Sequence, residues 1–435
     1  MLYWLHTLGD LFSPLRIFQA ITFRAMMAAG SAFVLSLLAG PWLINKLQQF
    51  QCLETVEDHR IGSLDRSAKV GTPTMGGLLI LFSTGFSVFL WAEPGNFYVL
   101  CVASTFLFMG GLGFLDDLLK LGFVRWKVVP PSTNNNQRRT SPSGLSSRVK
   151  FLGQGCWVVI FFLMLSSDSE IFARTQQLMV PFMKSPLIES MGWIGTFLFV
   201  GVVLVGASNA VNLTDGLDGL AVGCSGTAVS AYLVMAYAAG HFVFADYLQI
   251  PFVKGSGELA VFCGALLGGC LGFLWFNAHP AQMFMGDTGS LALGGALASV
   301  AILIKQELVL ILIGGVFVLE ALSVVIQVGG FKLSRRVTGT GRRVFRRAPL
   351  HHHFEHLASE GISNIEQGIS DVEKGNLPPA SQTPPKRGAG ESVADSPPWE
   401  GCLKGGVGSE NRIVIRFWIL SFLFALLGLL TLKIR

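Results

Sequence analysis

Residues 98–120 read YVLCVASTFLFMGGLGFLDDLLK, an apolar run that ends in two consecutive aspartates. The apolar part, residues 98–115, has roughly the length that a helix needs to cross a hydrocarbon core about 30 Å thick. A single carboxylate at the centre of a bilayer costs about 2.5–3.5 kcal/mol even on the lenient insertion scale. Asp116 and Asp117 are therefore expected at the membrane rim or in a watery cleft. The stretch predicts a membrane-spanning helix that leads directly into a polar site.

Similar apolar runs recur along the whole chain. Of the 435 residues, 51% are hydrophobic and 14% are charged, whereas a soluble protein usually carries about a quarter charged residues. These runs predict an all-α, polytopic integral membrane protein with ten transmembrane helices. The predicted spans are 24–44, 74–92, 98–115, 151–166, 191–209, 219–239, 259–275, 289–305, 308–331 and 412–432.

The connections between the spans predict which side of the membrane each end faces. Lys and Arg are concentrated in one alternating set of connections and are sparse in the other set. The basic set comprises 45–73, 116–150, 210–218, 276–288 and 332–411. Cytosolic connections carry the excess of Lys and Arg in membrane proteins. We therefore expect the basic set to be cytosolic and both termini to be outside.

Residues 357–411 differ in composition from the rest of the chain. They contain three Pro-Pro pairs and few large apolar residues, so they cannot bury enough surface to fold alone. We predict a transmembrane catalytic domain over 1–356, a disordered cytosolic insertion over 357–411, and a tenth helix of the same domain over 412–435. A tolerated loop extension is the simplest interpretation of the insertion.

The first acidic pair has two interpretations. On a helix Asp116 and Asp117 would point about 100° apart, so that one faces a ligand while the other is free to pair elsewhere. Lys120 is four residues after Asp116, close enough for an ion pair on one helix face. A helix-end salt bridge beside a solvated aspartate would explain the same pattern.

A second acidic cluster lies in NAVNLTDGLDG, residues 209–219. Asp215 and Asp218 share one face if the segment is helical, and Asn209 and Asn212 extend the polar surface. Carboxylate and amide oxygens suit Mg²⁺, which also takes phosphate oxygens. Buried polar side chains that satisfy one another are the alternative, and they are the less economical one.

A third acid, Asp287, lies in FMGDTGS, residues 284–290, just before the next predicted span. The glycines suit a tight turn whose amides could hold phosphate at a helix N-terminus. Asp287 or Ser290 could instead simply cap that helix.

The last motif consists of three histidines, His351, His352 and His353, which follow an arginine-rich run. They are either a surface patch that attracts anions or, together with the arginines, a site that holds a diphosphate. Each motif alone has an ordinary structural explanation, but all of them fall on one predicted membrane face. A transporter would be expected to distribute its acids through the membrane depth. The clustering therefore favours a metal and phosphate site at the cytosolic face.

Taken together, the motifs resemble those of a known enzyme family. The matching strings are GTPTMGG (71–77), Asp116-Asp117 with Lys120, GLSSRVK (144–150), NAVNLTDGLDGLA (209–221), FMGDTGS (284–290) and APLHHHFE (348–355). The acidic motifs resemble the polyprenyl-phosphate N-acetylhexosamine-1-phosphate transferase superfamily. The PTMGG and APLHHHFE strings resemble one family within it, the bacterial phospho-N-acetylmuramoyl-pentapeptide transferases of peptidoglycan synthesis. The resemblance runs from about residue 24 to 355 and resumes at 412–435.

The resemblance implies a ten-helix fold with a cytosolic cleft, in the bacterial cytoplasmic (inner) membrane. It implies that UDP-N-acetylmuramoyl-pentapeptide reacts with undecaprenyl phosphate to give lipid I and UMP, with Mg²⁺ as cofactor. A related N-acetylglucosamine-1-phosphate transferase is the alternative. The partners would be these two substrates and the lipid bilayer; a homodimer is allowed, and no nucleic acid is expected.

The resemblance also assigns roles to individual residues. Asp116, Asp117, Lys120 and Asp287 are the implied catalytic residues, and the implied metal ligands are Asp287 and Asp215. The implied substrate-binding residues are Lys69, Asn209, Asn212, Asp215, Gly216, Leu217, Asp218, Asn277, Phe284, His351, His352 and His353. Phe284 would stack on the uracil ring, near Gly216 and Leu217. Ser143 stands where the family usually carries a basic residue.

Overall fold

The computed structural model describes residues 1–10, 12–50, 71–121, 144–183, 185–358 and 407–432. They divide into two compact units, Met1–Ala321 with Phe417–Arg435, and Leu322–Arg416. Lys69, Ser143 and most of the predicted insertion lie outside the described residues. The predicted ends of this insertion were wrong, because residues 357–358 and 407–411 are helical. Disorder in the rest of the insertion, and with it the division into domains, stays a prediction.

The described residues are mainly helical and contain no β-strand, and Leu178 and Ile188 form an isolated bridge. Two 3₁₀ helices, Leu2–Leu8 and Ser13–Gln19, precede the first long helix. The α-helices are α1 (Ile21–Gln49), α2 (Gly77–Trp91), α3 (Phe97–Lys120), α4 (Ser147–Ser166), α5 (Ser169–Thr175), α6 (Gly192–Thr214), α7 (Leu220–Gly240), α8 (Phe242–Leu248), α9 (Leu259–Asn277), α10 (Gly286–Leu303), α11 (Val309–Ile313), α12 (Gly315–Thr338), α13 (350–358) and α14 (Val407–Leu430).

The predicted ten-span architecture is confirmed. Nine helices in the described part of the chain are long and apolar enough to cross a membrane, and α2 is a shorter apolar helix. Two boundaries differ in a way that matters for function. Helix α3 continues through the aspartate pair to Lys120, and α6 continues to Thr214, because no glycine or proline lies in residues 116–120 or 210–214. The ninth predicted span is divided into α11 and α12 at Gly314.

Helix α10 lies at the centre of the first unit. Every side chain from Thr288 to Leu303 is buried, and the helix packs chiefly against α3 and α6. Helix α9 packs in the same way against α1, where Gly264 and Gly268 face the backbone of Ala25 and Ala29. Small residues let membrane helices approach closely, and this close approach replaces the hydrophobic drive that water supplies to soluble proteins.

A buried ion pair joins α1 to the start of α9, at the end of the unit where α2 terminates and α3 begins. The Arg24 guanidinium donates two hydrogen bonds to Glu258, at 2.6 and 2.5 Å. Glu258 also accepts the backbone N–H of Glu93 at 3.1 Å, and Arg24 donates to the Trp91 carbonyl at 3.3 Å. These contacts satisfy two charges that burial would otherwise make costly.

The second unit contains the C-terminal part of α12 together with α13. The Gln327 amide oxygen accepts the backbone N–H groups of Val344 and Phe345, at 3.0 and 2.8 Å. Its amide nitrogen donates to the Phe345 carbonyl at 3.0 Å. The chain after α12 is thereby held against that helix before α13 begins.

Candidate active site

Three carboxylates from two helices meet at one end of the first unit. Asp116 and Asp117 lie in the last turn of α3, and Asp287 lies in the first turn of α10. One carboxylate oxygen from each lies within 4.8 Å of the others. Gly113 makes this approach possible, because a Cβ there would collide with the backbone of Asp287. The structure thus brings together three of the four predicted catalytic residues through helix packing.

Asp117 binds the N-terminus of α10. Its two oxygens accept the backbone N–H groups of Asp287, at 3.2 Å, and Thr288, at 3.0 Å. The Thr288 hydroxyl adds a third hydrogen bond at 2.7 Å. The first N–H groups of a helix have no partner within the helix, and a carboxylate there also interacts favourably with the helix dipole. Asp117 therefore caps α10, a role that sequence reasoning had considered for Asp287 or Ser290.

Asp116 faces cations instead. Its Oδ2 lies 2.9 Å from the Nζ of Lys120 and 3.1 Å from the Nζ of Lys150. Its Oδ1 accepts the backbone N–H of Leu145 at 2.6 Å. A side chain on Gly144 would collide with this carboxylate and with Lys120, so the residue before Leu145 must be small. The two aspartates of the pair consequently have different surroundings.

The two lysines connect Asp116 to Asp287. The Nζ of Lys120 lies 3.0 Å from Asp287 Oδ2, and the Nζ of Lys150 lies 2.5 Å from the same oxygen. This confirms the predicted proximity of Lys120 to the acids. Three carboxylates face two ammonium groups, so the cluster retains one excess negative charge when all five groups are ionised.

Lys150 was missed as a site residue by sequence reasoning. It ends the GLSSRVK string and lies in the first turn of α4. A basic residue at the end of a predicted span is unremarkable. Lys150 and Asp287 are far apart in the chain, so no local sequence pattern indicates their contact. The string resemblance was the only indication that could have found it.

Asn212 joins the cluster from α6, and Asn209 does not. The Asn212 amide donates to Asp287 Oδ1 at 2.8 Å and to the Ser290 hydroxyl at 2.9 Å. Asn209, one turn earlier, donates to the side chain of Gln154 at 2.9 Å, between α6 and α4. Asn209 is thus placed in a helix–helix contact, and Asn212 is placed to orient Asp287.

The second acidic cluster is not a helix face. Helix α6 ends at Thr214, and Gly219 has a left-handed φ of 77°, so Asp215 and Asp218 do not share a helical surface. Asp215 is the residue that follows the helix, and it does not belong to the group formed by the other three acids. Its predicted role as a metal ligand stays a prediction.

The connection between α6 and α7 is linked to the connection between α9 and α10. Asp218 is buried, and its Oδ2 lies 3.0 Å from the Nδ1 of His279. Asn277 accepts the backbone N–H of Gly219 at 3.0 Å and donates to the Met283 carbonyl at 2.9 Å. Leu217, which directly precedes Asp218, is buried, and Gly216 is half-buried.

Phe284 is held by a third segment, the chain before α2. Its backbone N–H donates to the Pro73 carbonyl at 2.8 Å, and its carbonyl accepts the N–H of Gly76 at 2.8 Å. The Phe284 side chain is half-buried. The GTPTMGG and FMGDTGS strings are therefore paired along their backbones. This pairing fixes Phe284, which precedes Asp287 by three residues.

The predicted histidine motif belongs to the second unit. His351, His352 and His353 are in α13 of the second unit, where His351 is buried and His352 lies 3.0 Å from Glu355 through its Nδ1. Consecutive residues on a helix point in different directions, so the three rings do not share one face. The substrate-binding roles predicted for them stay predictions.

The acid cluster fits a divalent cation by the chemistry of its donors. Mg²⁺ prefers carboxylate oxygens and typically takes one or two protein carboxylates together with phosphate oxygens. Asp287 and Asp116 each direct an oxygen at the two lysine ammonium groups, so positive charge is already stabilised at this position. Asp117 has both oxygens engaged by α10 and is the least available donor.

The chain with this charged cluster is similar to a class of glycosyl transferases. Residues 99–305 match the family model described as glycosyl transferase family 4. Residues 69–81 match the model described as phospho-N-acetylmuramoyl-pentapeptide-transferase signature 1.

Relatives match the chain along its full length. A phospho-N-acetylmuramoyl-pentapeptide-transferase of Desulfotalea psychrophila is 43% identical over 437 residues, which cover 100% of this chain and 99% of the relative. Proteins of the same name from Methylacidiphilum infernorum and Nitratidesulfovibrio vulgaris are 39% and 41% identical, over 100% and 99% of this chain and of each relative. The chain belongs to the phospho-N-acetylmuramoyl-pentapeptide-transferase family.

Proposed function

We propose that the protein transfers phospho-N-acetylmuramoyl-pentapeptide from its UDP-linked donor to undecaprenyl phosphate, which yields lipid I and UMP. The observation that carries this proposal is the cluster of Asp116, Asp287, Lys120 and Lys150 at one end of an apolar helix bundle. A water-soluble nucleotide and a membrane-bound lipid phosphate can meet only at such an interface. Family membership supports this pair of substrates.

Phosphoryl transfer asks a protein mainly to position the reactants and to neutralise charge. The donor brings a diphosphate and the acceptor brings a phosphate, so the site must bring several negative charges together. Lys120 and Lys150 supply two positive charges within 3.1 Å of the carboxylates that position them. In the substrate complex, these ammonium groups would donate some of their hydrogen bonds to phosphate oxygens instead of to the carboxylates.

In the direct route, an oxygen of the lipid phosphate attacks the β-phosphorus of the donor. A new bond forms between that oxygen and the β-phosphorus, and the bond from the β-phosphorus to the bridging oxygen breaks. The bridging oxygen leaves with the electron pair as part of UMP. Asp116 would accept or steer the proton of the lipid phosphate, because Asp117 is engaged by the N-terminus of α10.

A two-step route through a covalent aspartyl-phosphate is the second candidate mechanism. Here the carboxylate of Asp116 would attack the β-phosphorus and release UMP before the lipid arrives. Incubating the enzyme with the donor alone distinguishes the routes. Stoichiometric UMP release together with a labelled enzyme supports two steps, and no release supports direct transfer.

The proposal includes Mg²⁺ as cofactor. Asp287 would hold the ion, with Asp116 beside it, and the bound ion would supply Lewis-acid charge neutralisation of the diphosphate. Asn212, which donates to Asp287 Oδ1, would orient that carboxylate. We also propose that the site faces the cytosol of a bacterial inner membrane, in agreement with the excess of Lys and Arg in the same set of connections.

The test is an assay of UMP release by purified protein with undecaprenyl phosphate and Mg²⁺. UDP-N-acetylmuramoyl-pentapeptide and UDP-N-acetylglucosamine are compared as donors in parallel reactions. We expect UMP release with the first donor only, and loss of release when a chelator is added. Release with the second donor alone would identify the related N-acetylglucosamine-1-phosphate transferase instead, and release unaffected by chelator would remove the metal from the proposal.

A further inference from the structure

His279 and Asp218 form a buried contact between two connections that sequence reasoning treated separately. Asp218 Oδ2 lies 3.0 Å from His279 Nδ1 and also accepts the backbone N–H of Ala281 at 3.2 Å. The side chains of His279 and Asp218 are only 9% and 3% exposed. Because a carboxylate accepts hydrogen bonds, Nδ1 of His279 carries the proton in this contact.

The connection between α9 and α10 is fixed at its beginning by this contact. The next link is made by Asn277, which accepts from Gly219 at 3.0 Å and donates to the Met283 carbonyl at 2.9 Å. Asp218 and Gly219 are adjacent in the α6–α7 connection, so both links hold the same two segments together. Breaking the His279 contact removes a side-chain bond at the point where the chain leaves α9.

The end of the same connection carries the residues that the proposed function uses. Phe284 is held by backbone hydrogen bonds to Pro73 and Gly76, both at 2.8 Å. Asp287 follows Phe284 by three residues, in the first turn of α10, and belongs to the acid cluster. A shift at His279 is therefore transmitted along a few residues to Phe284, before it reaches Asp287, whose position is also fixed by Asp117 and Asn212.

We infer that His279 is a positioning residue that, through Asp218, holds the α9–α10 connection in the arrangement that binds the nucleotide donor. The inference rests on the proposed function and deepens it. It also gives Asp218 a positioning role beside the substrate binding predicted for it, because its Oδ2 is engaged by His279 and Ala281. The nucleotide would be recognised by the surface that the connection presents, and the chemistry would remain with the acid cluster.

A matched pair of variants tests the hydrogen bond that Nδ1 of His279 donates to Asp218. His279→Phe keeps a ring of similar size but removes the Nδ1 donor, whereas His279→Asn places an amide nitrogen close to the position of Nδ1. We expect His279→Phe to raise the KM for the UDP-linked donor about tenfold, the usual scale for losing one hydrogen bond to a charged group. In His279→Phe, the KM for undecaprenyl phosphate and kcat should stay within about threefold of wild type. In His279→Asn, the KM for the UDP-linked donor should return close to the wild-type value.

Hydrogen exchange on the full-length protein supplies a readout that does not need turnover. The peptide that covers residues 278–285 should exchange faster in His279→Phe than in wild type and His279→Asn, while peptides of α3 should be unchanged. An unchanged donor KM in His279→Phe, a loss confined to kcat, or an Asn variant as impaired as the Phe variant would each overturn the inference. An inactive wild type would instead count against the proposed function, because the exchange comparison stands without it.

Discussion

Asp117 and Thr288 are joined by two hydrogen bonds, one from the Thr288 backbone nitrogen at 3.0 Å and one from its hydroxyl at 2.7 Å. Both bonds end on the same carboxylate oxygen, which is buried between α3 and α10. Because of this contact, the two adjacent acids Asp116 and Asp117 have different roles. Asp117 holds the helix that carries Asp287, and Asp116 is left to face the lysines.

The Thr288 hydroxyl provides a first test of this division. Thr288→Val removes the hydroxyl with little change of shape, and we expect unfolding to become easier by about 1.5–3 kcal/mol, the value of a hydrogen bond to a charged group. Thr288→Ser keeps the hydroxyl and is the matched control. Thermal unfolding in detergent measures the effect, and equal midpoints for the two variants would contradict the cap assignment.

Lys150 is expected to be essential for efficient turnover. Lys150→Gln removes one of the two cations between Asp116 and Asp287, so the repulsion between the two carboxylates is less well compensated and one charge for phosphate binding is lost. We expect UMP release to fall about a hundredfold, the loss that follows removal of one electrostatic contact in an active site. Arg148→Gln removes the same charge from an exposed position in the same turn and should change the rate little. Equal rates for both variants would exclude Lys150 from the site.

Asp287→Asn should abolish turnover and leave the protein folded. The amide keeps the size of the side chain and can still contact Asn212, but it lacks the charge that a divalent cation needs. UMP release should fall to background while the unfolding midpoint stays close to that of wild type. An active variant would remove Asp287 from the metal site.

The ion pair at the other end of the unit should affect stability without affecting catalysis. Glu258→Gln leaves Arg24 buried without its charge partner, and breaking such a pair typically costs about 3–5 kcal/mol. Asp10→Asn is the control, because the Asp10–Arg16 pair is largely exposed and exposed pairs contribute little. The unfolding midpoint should drop for Glu258→Gln only, and the donor KM of the folded fraction should match wild type. A changed KM would show that this end communicates with the acid cluster.

Several features of the fold could be predicted because they depend on local composition. The span at 98–115 is recognisable from its length and lack of charge, and the four-residue spacing of Asp116 and Lys120 indicates that the helix continues past the end of the span. The shared helical face considered for Asp215 and Asp218 does not form. The α6 helix ends between the two asparagines and the two acids, and a periodic pattern does not report where a helix stops.

The sequence by itself determined that the charged residues lie toward the ends of the apolar helices, since the cost of burying charge in lipid excludes most other arrangements. Only the tertiary structure decided which of these groups meet. Lys150 reaches Asp287 across 137 positions of chain, and His279 reaches Asp218 across 61. Such pairings are set by how α3, α4, α6 and α10 pack, and by glycines such as Gly113 that let backbones approach. Packing also gave Asp116 and Asp117, which are neighbours in the sequence, two different partners.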